Sequence, residues 1–200
     1  MSHVRPAHTV HAIHERRPGA DPHPAAPGRA PTLVLSVASA AGTGPTELSA
    51  FDDALLRVGA ANYNLVRLSS VIPPGSAVVE HDGALPHPGG TWGDRLYVVY
   101  AEQRASRPGD EAWAGVGWVQ DAASGRGLFV EHEGSSEDDV RDAISASLGQ
   151  LQRGRKIDLG PVRMRVVGTC CRDEPVCALA MVTYAAEPWG HVPAAAGPRR

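Results

Sequence analysis

The most unusual local chemistry in this chain is a pair of adjacent serines, Ser69 and Ser70, between a β-rich run and the Pro73-Pro74 pair. If the peptide bond between the serines is held bent, the Ser70 hydroxyl can attack the Ser69 carbonyl and convert the amide into an ester. Elimination of the ester and loss of ammonia would leave a pyruvoyl group at residue 70. Asn64, six residues earlier, offers a side-chain N–H to stabilise the oxyanion. Serine pairs before prolines also occur in ordinary loops, so the pattern alone leaves both interpretations open.

Other catalytic templates are missing from the sequence. There is no GxGxxG opening a helix, no P-loop, no GxSxG and no HExxH. A hydrolase that uses Ser70 directly is a weaker hypothesis, because no His or Asp lies at a recognisable triad spacing. The cysteines at 170, 171 and 177 lack a second CxxC or a nearby His pair. We therefore predict ordinary thiols and no metal site.

Composition and charge exclude several classes of protein. The chain has 200 residues, 42% of them apolar, which suits one domain with a sizeable core. A formal net charge of -3 gives no general reason to expect nucleic acid or an acidic membrane as a partner. No apolar stretch approaches the roughly 20 residues that span a bilayer. The N-terminus lacks the apolar core of a signal peptide, so we predict a cytoplasmic location.

The two ends of the chain differ in composition from its middle. Residues 1–31 contain six prolines and five of the nine histidines, with few large apolar residues. Such a segment buries too little surface to offset its chain entropy, so it is predicted to be a disordered N-terminal extension. Residues 188–200 are predicted to be a flexible tail. Residues 32–187 then form the single ordered domain.

The ordered domain alternates unevenly between strand and helix patterns. Residues 41–45 are predicted to break the chain, Thr46 to cap the first helix, and Gly59 to end it. The order β α β β β β α β β favours an α+β fold with much antiparallel pairing over a Rossmann-type alternation. The predicted elements are a strand at 32–38, a helix at 47–58, strands at 62–69, 95–101, 112–120 and 127–133, a helix after Ser135 and Ser136, and strands at 162–169 and 176–184.

Asp52 lies on what the helix periodicity predicts to be an apolar face. It interrupts a stripe of leucines at helical spacing, namely Leu48, Leu55 and Leu56. A charge there needs a partner, and a planar guanidinium pairs strongly with a carboxylate. The partner could be a ligand or, within the chain, Arg67. Asp53, about 100° further round the helix, is expected to be solvated.

Two blocks of the sequence resemble the pyruvoyl-dependent arginine decarboxylase family. Residues 50–56, Gly59 and residues 62–74 are similar to its pattern AFDxAL, a short gap, then NxNLxxxSSxxPP. Residues 127–134, GLFVEHEG, are similar to its GLxxEYxG. The resemblance spans about residues 32 to 185. Tyr63 and His132 depart from the expected residues, which leaves the substrate open between arginine and another amino acid.

The resemblance implies a specific activity and fold. It implies self-cleavage between Ser69 and Ser70, an imine between the substrate amine and pyruvoyl-70, and conversion of L-arginine to agmatine and CO2, a step towards polyamine biosynthesis. It implies a four-layer αββα sandwich with largely antiparallel sheets, assembled as a homotrimer with sites between subunits. The alternative is an unprocessed, catalytically inactive relative that acts in binding or assembly.

The resemblance also implies roles for individual residues. Glu131 matches the family's proton donor, Asp52 the residue that receives the substrate guanidinium, and Asn64 the asparagine associated with self-processing. Glu131 follows the apolar run at 128–130, so it could be desolvated and kept protonated. The alternatives are a solvated strand-end carboxylate for Glu131 and a strand-end hydrogen bond for Asn64.

Overall fold

The computed structural model describes residues 31–190. The predicted extension at 1–31 and the predicted tail at 188–200 therefore lie almost wholly outside the described residues and stay predictions. None of the helices between residues 31 and 190 has the length and apolar character needed to cross a bilayer. The elements in chain order are β1 (Leu33–Thr43), α1 (Glu47–Val58), β2 (Asn64–Arg67), β3 (Val71–Ile72), β4 (Ser76–Glu80), β5 (Arg95–Ala105), β6 (Glu111–Gln120), β7 (Gly127–Gly134), α2 (Glu137–Arg155), β8 (Arg163–Cys170) and β9 (Val176–Glu187).

The strands form two sheets that pack face to face. One sheet has the order β2-β5-β9-β1-β4 and the other β3-β7-β6-β8. Neighbours are antiparallel except for β1 with β4 and β2 with β5. Apolar side chains from both sheets fill the space between them, while α1 covers the outer face of the five-stranded sheet and α2 that of the four-stranded sheet. The predicted α+β fold, a four-layer αββα sandwich with largely antiparallel sheets, is confirmed.

The predicted helix caps are confirmed. The Thr46 hydroxyl accepts the Ser49 backbone N–H at 3.1 Å, and the Ser49 hydroxyl accepts that of Thr46 at 2.9 Å, which is a capping box. Gly59 ends α1 with a φ of 82°, a conformation that suits glycine. Of the two serines offered for α2, Ser136 is the cap, and its hydroxyl accepts the Asp139 N–H at 3.2 Å.

The first strand is longer than predicted, because Gly42 does not break it. A Cβ at residue 42 would lie 2.2 Å from the Ala50 carbonyl oxygen and 2.4 Å from the Ala54 nitrogen. Gly42 therefore lets α1 pack directly against the backbone of β1. A glycine needed for close packing and a glycine needed for a turn give the same local pattern, so the predicted break at 41–45 is wrong for residues 41–43.

The chain crosses from one sheet to the other between β2 and β3. The predicted strand at 62–69 is shorter than expected, since β2 ends at Arg67 and pairs with β5. Two residues of β3 then pair with β7 in the opposite sheet, with Val71 opposite Leu128. Ser69 and Ser70 lie within this crossing. The short strands β3 and β4 are absent from the sequence prediction.

Candidate functional site

Ser70 has an unusual backbone conformation. Its φ is 67°, and among the non-glycine residues that the structure describes only Lys156, at the end of α2, shares a positive φ. The left-handed conformation costs a residue with a Cβ about 1–2 kcal/mol. The fold therefore holds Ser70 in a strained backbone conformation, directly after the peptide bond at which the acyl shift is predicted.

Strand β7 contacts Ser70 at two atoms. The Ser70 hydroxyl donates to Glu131 Oε1 at 2.7 Å. The Ser70 carbonyl oxygen accepts the Phe129 backbone N–H at 2.8 Å. Phe129 itself is fully buried between the sheets. The geometry therefore fixes Ser70, the predicted pyruvoyl precursor, against Glu131, the predicted proton donor.

Glu131 has an environment that favours its neutral form. Burial raises the pKa of Glu131 above its ordinary value, although the Ser70 hydroxyl and the Arg67 charge lower it in part, and Glu133 raises it further. This matches the predicted desolvation at the end of the apolar run. A half-buried carboxyl with a raised pKa keeps its proton to higher pH than a solvated one does and can deliver it.

An open cavity of about 690 Å³ surrounds these groups. Its walls come from Ser69, Ser70, residues 128–132 of β7 and the C-terminal half of α2. His132, which stands beside Glu131 in sequence, contributes to the α2 side, where its Nε2 lies 2.9 Å from the Ser147 hydroxyl. We call the group formed by Ser69, Ser70, Phe129 and Glu131 the serine corner.

Asp52 lies away from the serine corner. The buried residues of α1 are Ala50, Ala54, Leu55 and Val58, whereas Leu48 is 68% exposed and Leu56 57% exposed. Asp52 is exposed between these two leucines. The prediction that it interrupts a buried apolar face is therefore wrong within one chain, because the close contact at Gly42 selects the alanine face of the helix.

Asp53 makes the contacts that were not expected of it. Its carboxylate accepts the Thr43 backbone N–H at 2.9 Å and the Arg57 Nε–H at 2.9 Å. The predicted solvated role is wrong, and Asp53 instead ties α1 to the end of β1. Arg67, the suggested internal partner of Asp52, lies 4.5 Å from the centre of the Tyr100 ring and donates to the Tyr100 carbonyl.

Asn64 is also separate from the serine corner. It begins β2, opposite Arg95, and its side-chain amide donates to the Gly93 carbonyl. Ser70 follows the other end of the same strand. The prediction that Asn64 supplies an N–H to the Ser69 carbonyl is wrong within one chain, and the alternative of a strand-end hydrogen bond describes its contact.

A second, smaller cavity of about 200 Å³ lies beside α1 and the start of β2. Leu56, Tyr63, His87 and Trp92 are among its walls. The Tyr63 hydroxyl donates to the Gly89 carbonyl at 2.8 Å, so this departure from the family pattern is held in place. Trp92 is 82% exposed. We call the surface formed by Leu48, Asp52, Leu56 and Trp92 the aspartate face.

Comparison with known proteins decides the family. The family model described as pyruvoyl-dependent arginine decarboxylase matches residues 34–188. The chain belongs to this family. A pyruvoyl-dependent arginine decarboxylase of Thermococcus kodakarensis is 31% identical over 147 residues, covering 73% of this chain and 90% of that protein. The one of Halobacterium salinarum is 39% identical over 116 residues, covering 57% of this chain and 69% of that protein. The one of Thermococcus sibiricus is 33% identical over 150 residues, covering 74% of this chain and 91% of that protein. The family resemblance inferred from the two sequence blocks is confirmed.

Sequence reasoning missed two contacts in this member of the pyruvoyl-dependent arginine decarboxylase family. One is the Phe129 backbone N–H, and the other is Tyr184, whose hydroxyl donates to the Val71 carbonyl at 3.1 Å. A backbone donor has no sequence signal, and Tyr184 lies 113 residues from Val71 along the chain. Among residues 31–190 no cluster of three or more His, Cys, Asp or Glu side chains could hold a metal ion.

Proposed function

We propose that this chain cleaves itself between Ser69 and Ser70 and then decarboxylates L-arginine to agmatine and CO2. The observation that carries the proposal is the state of Ser70, whose backbone is strained while its hydroxyl and carbonyl contact Glu131 and Phe129. Family membership supports the pyruvoyl group and arginine as substrate. Three free cysteines suit the predicted cytoplasmic location.

The proposed processing begins at the peptide bond between Ser69 and the strained Ser70. The Ser70 hydroxyl, whose proton points at Glu131, attacks the Ser69 carbonyl carbon, and the C–N bond breaks as the nitrogen takes up a proton. Loss of the Ser70 Cα proton then expels the Ser69 carboxylate and leaves dehydroalanine, whose enamine tautomerises to an imine. Water adds to the imine carbon and ammonia leaves, so residue 70 becomes a pyruvoyl group. The products are a small chain of residues 1–69 and a large chain that begins at residue 70. Release of the left-handed conformation at Ser70 favours the first step.

The residues around Ser70 fit a pyruvoyl group in its place. Such a group supplies an electrophilic carbonyl that takes up the substrate amine and the electron pair left when CO2 departs. The Phe129 N–H would hold the carbonyl of residue 70, and Glu131 would deliver a proton to the carbon that has lost CO2. Burial beside the apolar residues of β7 disfavours the charged form of Glu131 and so helps it to keep this proton.

The rest of the proposed site comes from a second protomer. Asp52 and Asn64 are remote from the serine corner in one chain, yet arginine presents a guanidinium at one end and its reacting carbon at the other. We assign the aspartate face to the surface that packs against the serine corner of a neighbour in a homotrimer. Asp52 would then bind the guanidinium. Exposure of Leu48 and Leu56 on either side of Asp52 supports this assignment.

Intact mass spectrometry of the freshly purified protein tests the proposal. Two chains divided after Ser69, with the larger one reactive towards borohydride plus an amine, are expected. Agmatine and CO2 should then form from arginine and not from the other members of an amino acid panel. One intact chain that stays whole for days would contradict the proposal and favour the inactive binding relative. Cleavage with another preferred amino acid would keep the chemistry and replace the substrate.

A complementation experiment tests the shared site. Ser70→Ala removes the reacting residue from one protomer, and Asp52→Ala removes the guanidinium partner from the other. At an arginine concentration far below the KM of Asp52→Ala, each variant alone should have little or no activity. Coexpression of the two should then restore part of the activity, since a mixed trimer contains some sites with Ser70 and Asp52 both intact. If both groups belonged to one protomer, mixed assemblies would stay as inactive as the parents.

A further inference from the structure

Strand β9 contains a β-bulge at Tyr184. Val98 pairs with Thr183 and Tyr97 pairs with Ala185, so Tyr184 is an extra residue without a partner on β5. Before the bulge, alternate residues of β9 point into the space between the sheets, and Tyr184 is the last to do so, whereas Ala186 packs with the residues under α1. Bulges commonly redirect a side chain next to a functional site. Tyr184 thus continues the inward alternation and faces the opposite sheet, and the bulge ends that alternation directly after it.

Tyr184 contacts both strands that carry the serine corner. Its hydroxyl donates to the Val71 carbonyl at 3.1 Å. Its ring meets the ring of Phe129 nearly edge-on, with centroids 6.3 Å apart and planes at 70°. Burial, helped by the charge of Glu131, raises the pKa of Tyr184, so the hydroxyl stays protonated and remains a donor.

The position of Val71 gives this hydrogen bond its importance. Val71 directly follows residue 70, and the proposed cleavage would turn residue 70 into a chain end. Strand β3 has only two residues, Val71 and Ile72, which is too short to fix a terminus by pairing alone. Two further donors hold this end, namely the Phe129 N–H on the carbonyl of residue 70 and the Tyr184 hydroxyl on the next carbonyl.

We propose that Tyr184 is a positioning residue, which keeps the chain end at residue 70 against β7 so that the reacting carbon stays beside Glu131. The inference rests on the proposed function and adds a residue to it. Tyr184 does not touch the reacting atoms and acts through Val71. A displacement of the order of 1 Å at a reacting centre is enough to lower a rate strongly, so the loss of one anchor should reduce kcat more than it changes KM.

Tyr184→Phe is the test, with Tyr97→Phe as its matched control. Phenylalanine keeps the ring contact with Phe129 and removes only the hydroxyl. The Tyr97 hydroxyl donates to Glu187 at 3.0 Å. Like the Tyr184 bond, this is a tyrosine hydrogen bond between two strands, here β5 and β9, but it involves neither residue 70 nor Val71. Intact mass of both variants comes first. Amide hydrogen exchange at Phe129 and Ile72, kcat, KM and the pH profile follow.

Both variants are expected to cleave and to contain the group that borohydride traps. Tyr184→Phe should exchange its Phe129 and Ile72 amides faster than the wild type and lose about tenfold in kcat, with KM within about twofold, as expected for one lost hydrogen bond. Its pH profile should also shift, because the distance between residue 70 and Glu131 is no longer fixed. Tyr97→Phe should match the wild type in amide exchange, kcat, KM and pH profile.

Three results would overturn the inference. Equal amide exchange in the two variants would show that the hydroxyl anchors nothing. Faster exchange with an unchanged kcat would show that the anchor has no bearing on the reacting carbon. A wild-type chain that never cleaves would overturn the proposed function itself, and this failure is seen in the mass spectrum before any variant is compared.

Discussion

The serine corner and the aspartate face differ in how complete each is within one chain. At the serine corner, a strained residue, a half-buried carboxyl and a backbone donor are already within hydrogen-bond distance. The aspartate face is an exposed surface on which Leu48, Leu56 and Trp92 are all largely accessible to solvent. Asp52 and Ser70 are close in sequence, yet α1 covers the outer face of one sheet while the crossing at Ser70 reaches the other sheet.

This difference agrees with the separate roles proposed for the two regions. The serine corner has what bond rearrangement needs, because strain and positioned donors come from the interior of one protomer. The aspartate face has what recognition across an interface needs, namely a charge surrounded by exposed apolar side chains. Variants of the first region should therefore abolish chemistry, and variants of the second should weaken substrate binding.

Ser70→Ala should have the largest effect, because it removes the attacking oxygen. We expect one uncleaved chain and no detectable decarboxylation, measured by denaturing gel and by release of CO2 from arginine. Ser69→Ala is the control, since it keeps the Ser70 hydroxyl and should still cleave. Cleavage of Ser70→Ala at the same bond would refute the role of this hydroxyl.

Glu131→Gln should separate the two reactions of the serine corner. Glutamine keeps a carbonyl that can accept the Ser70 hydroxyl, so cleavage should persist, while the missing acid should lower kcat by about 10²- to 10⁴-fold. Glu133→Gln, at an exposed residue on the same strand, is the control and should retain normal kcat on the plateau of its pH profile. Its alkaline limb should move to lower pH, because Glu133 raises the pKa of Glu131. If Glu131→Gln turned over normally after cleavage, another group would have to supply the proton.

Asp52→Ala should affect binding and leave the fold intact. Losing the partner of a guanidinium should raise KM for arginine by about 10- to 100-fold, because hydrogen bonds to charged groups contribute about 1.5–3 kcal/mol. Thermal unfolding should be unchanged, since Asp52 is exposed. Asp53→Ala should do the opposite by lowering the Tm while KM stays normal, because Asp53 holds Thr43 and Arg57. The reverse pattern would exchange the roles of the two aspartates.

Arg67→Gln should produce the smallest change, visible in the pH profile. Glu131 works as an acid when protonated, so activity should be lost as pH rises through its raised pKa. The Arg67 charge lowers the pKa of Glu131, and its removal should therefore move the alkaline limb to higher pH. The measurement is the steady-state rate across the alkaline limb. A limb that moves to lower pH, or does not move, would show that the Arg67 charge does not lower the pKa of Glu131.

The parts of the fold with local signals could be predicted from the sequence. Thr46 and Gly59 marked both ends of α1, and the apolar run before Glu131 indicated its desolvation. The face of α1 could not be predicted, because periodicity counts Leu48 and Leu56 as core while the contact at Gly42 chooses the alanines. The conformation of Ser70 and the bulge at Tyr184 arise from tertiary contacts that no local pattern contains.

The position of β1 in the sheet has a consequence for how a protein cleaved as proposed would fold and refold. Residues 1–69 include β1, which lies between β9 and β4 and is paired with both. Once the backbone is cut, the small chain is a bound partner whose central strand cannot leave without opening the sheet. Folding of the uncut chain is unimolecular, whereas refolding of the two pieces is a second-order encounter that slows on dilution. If the chain cleaves itself as proposed, folding must therefore precede cutting, and the cleaved protein should refold more slowly than its continuous precursor at low concentration.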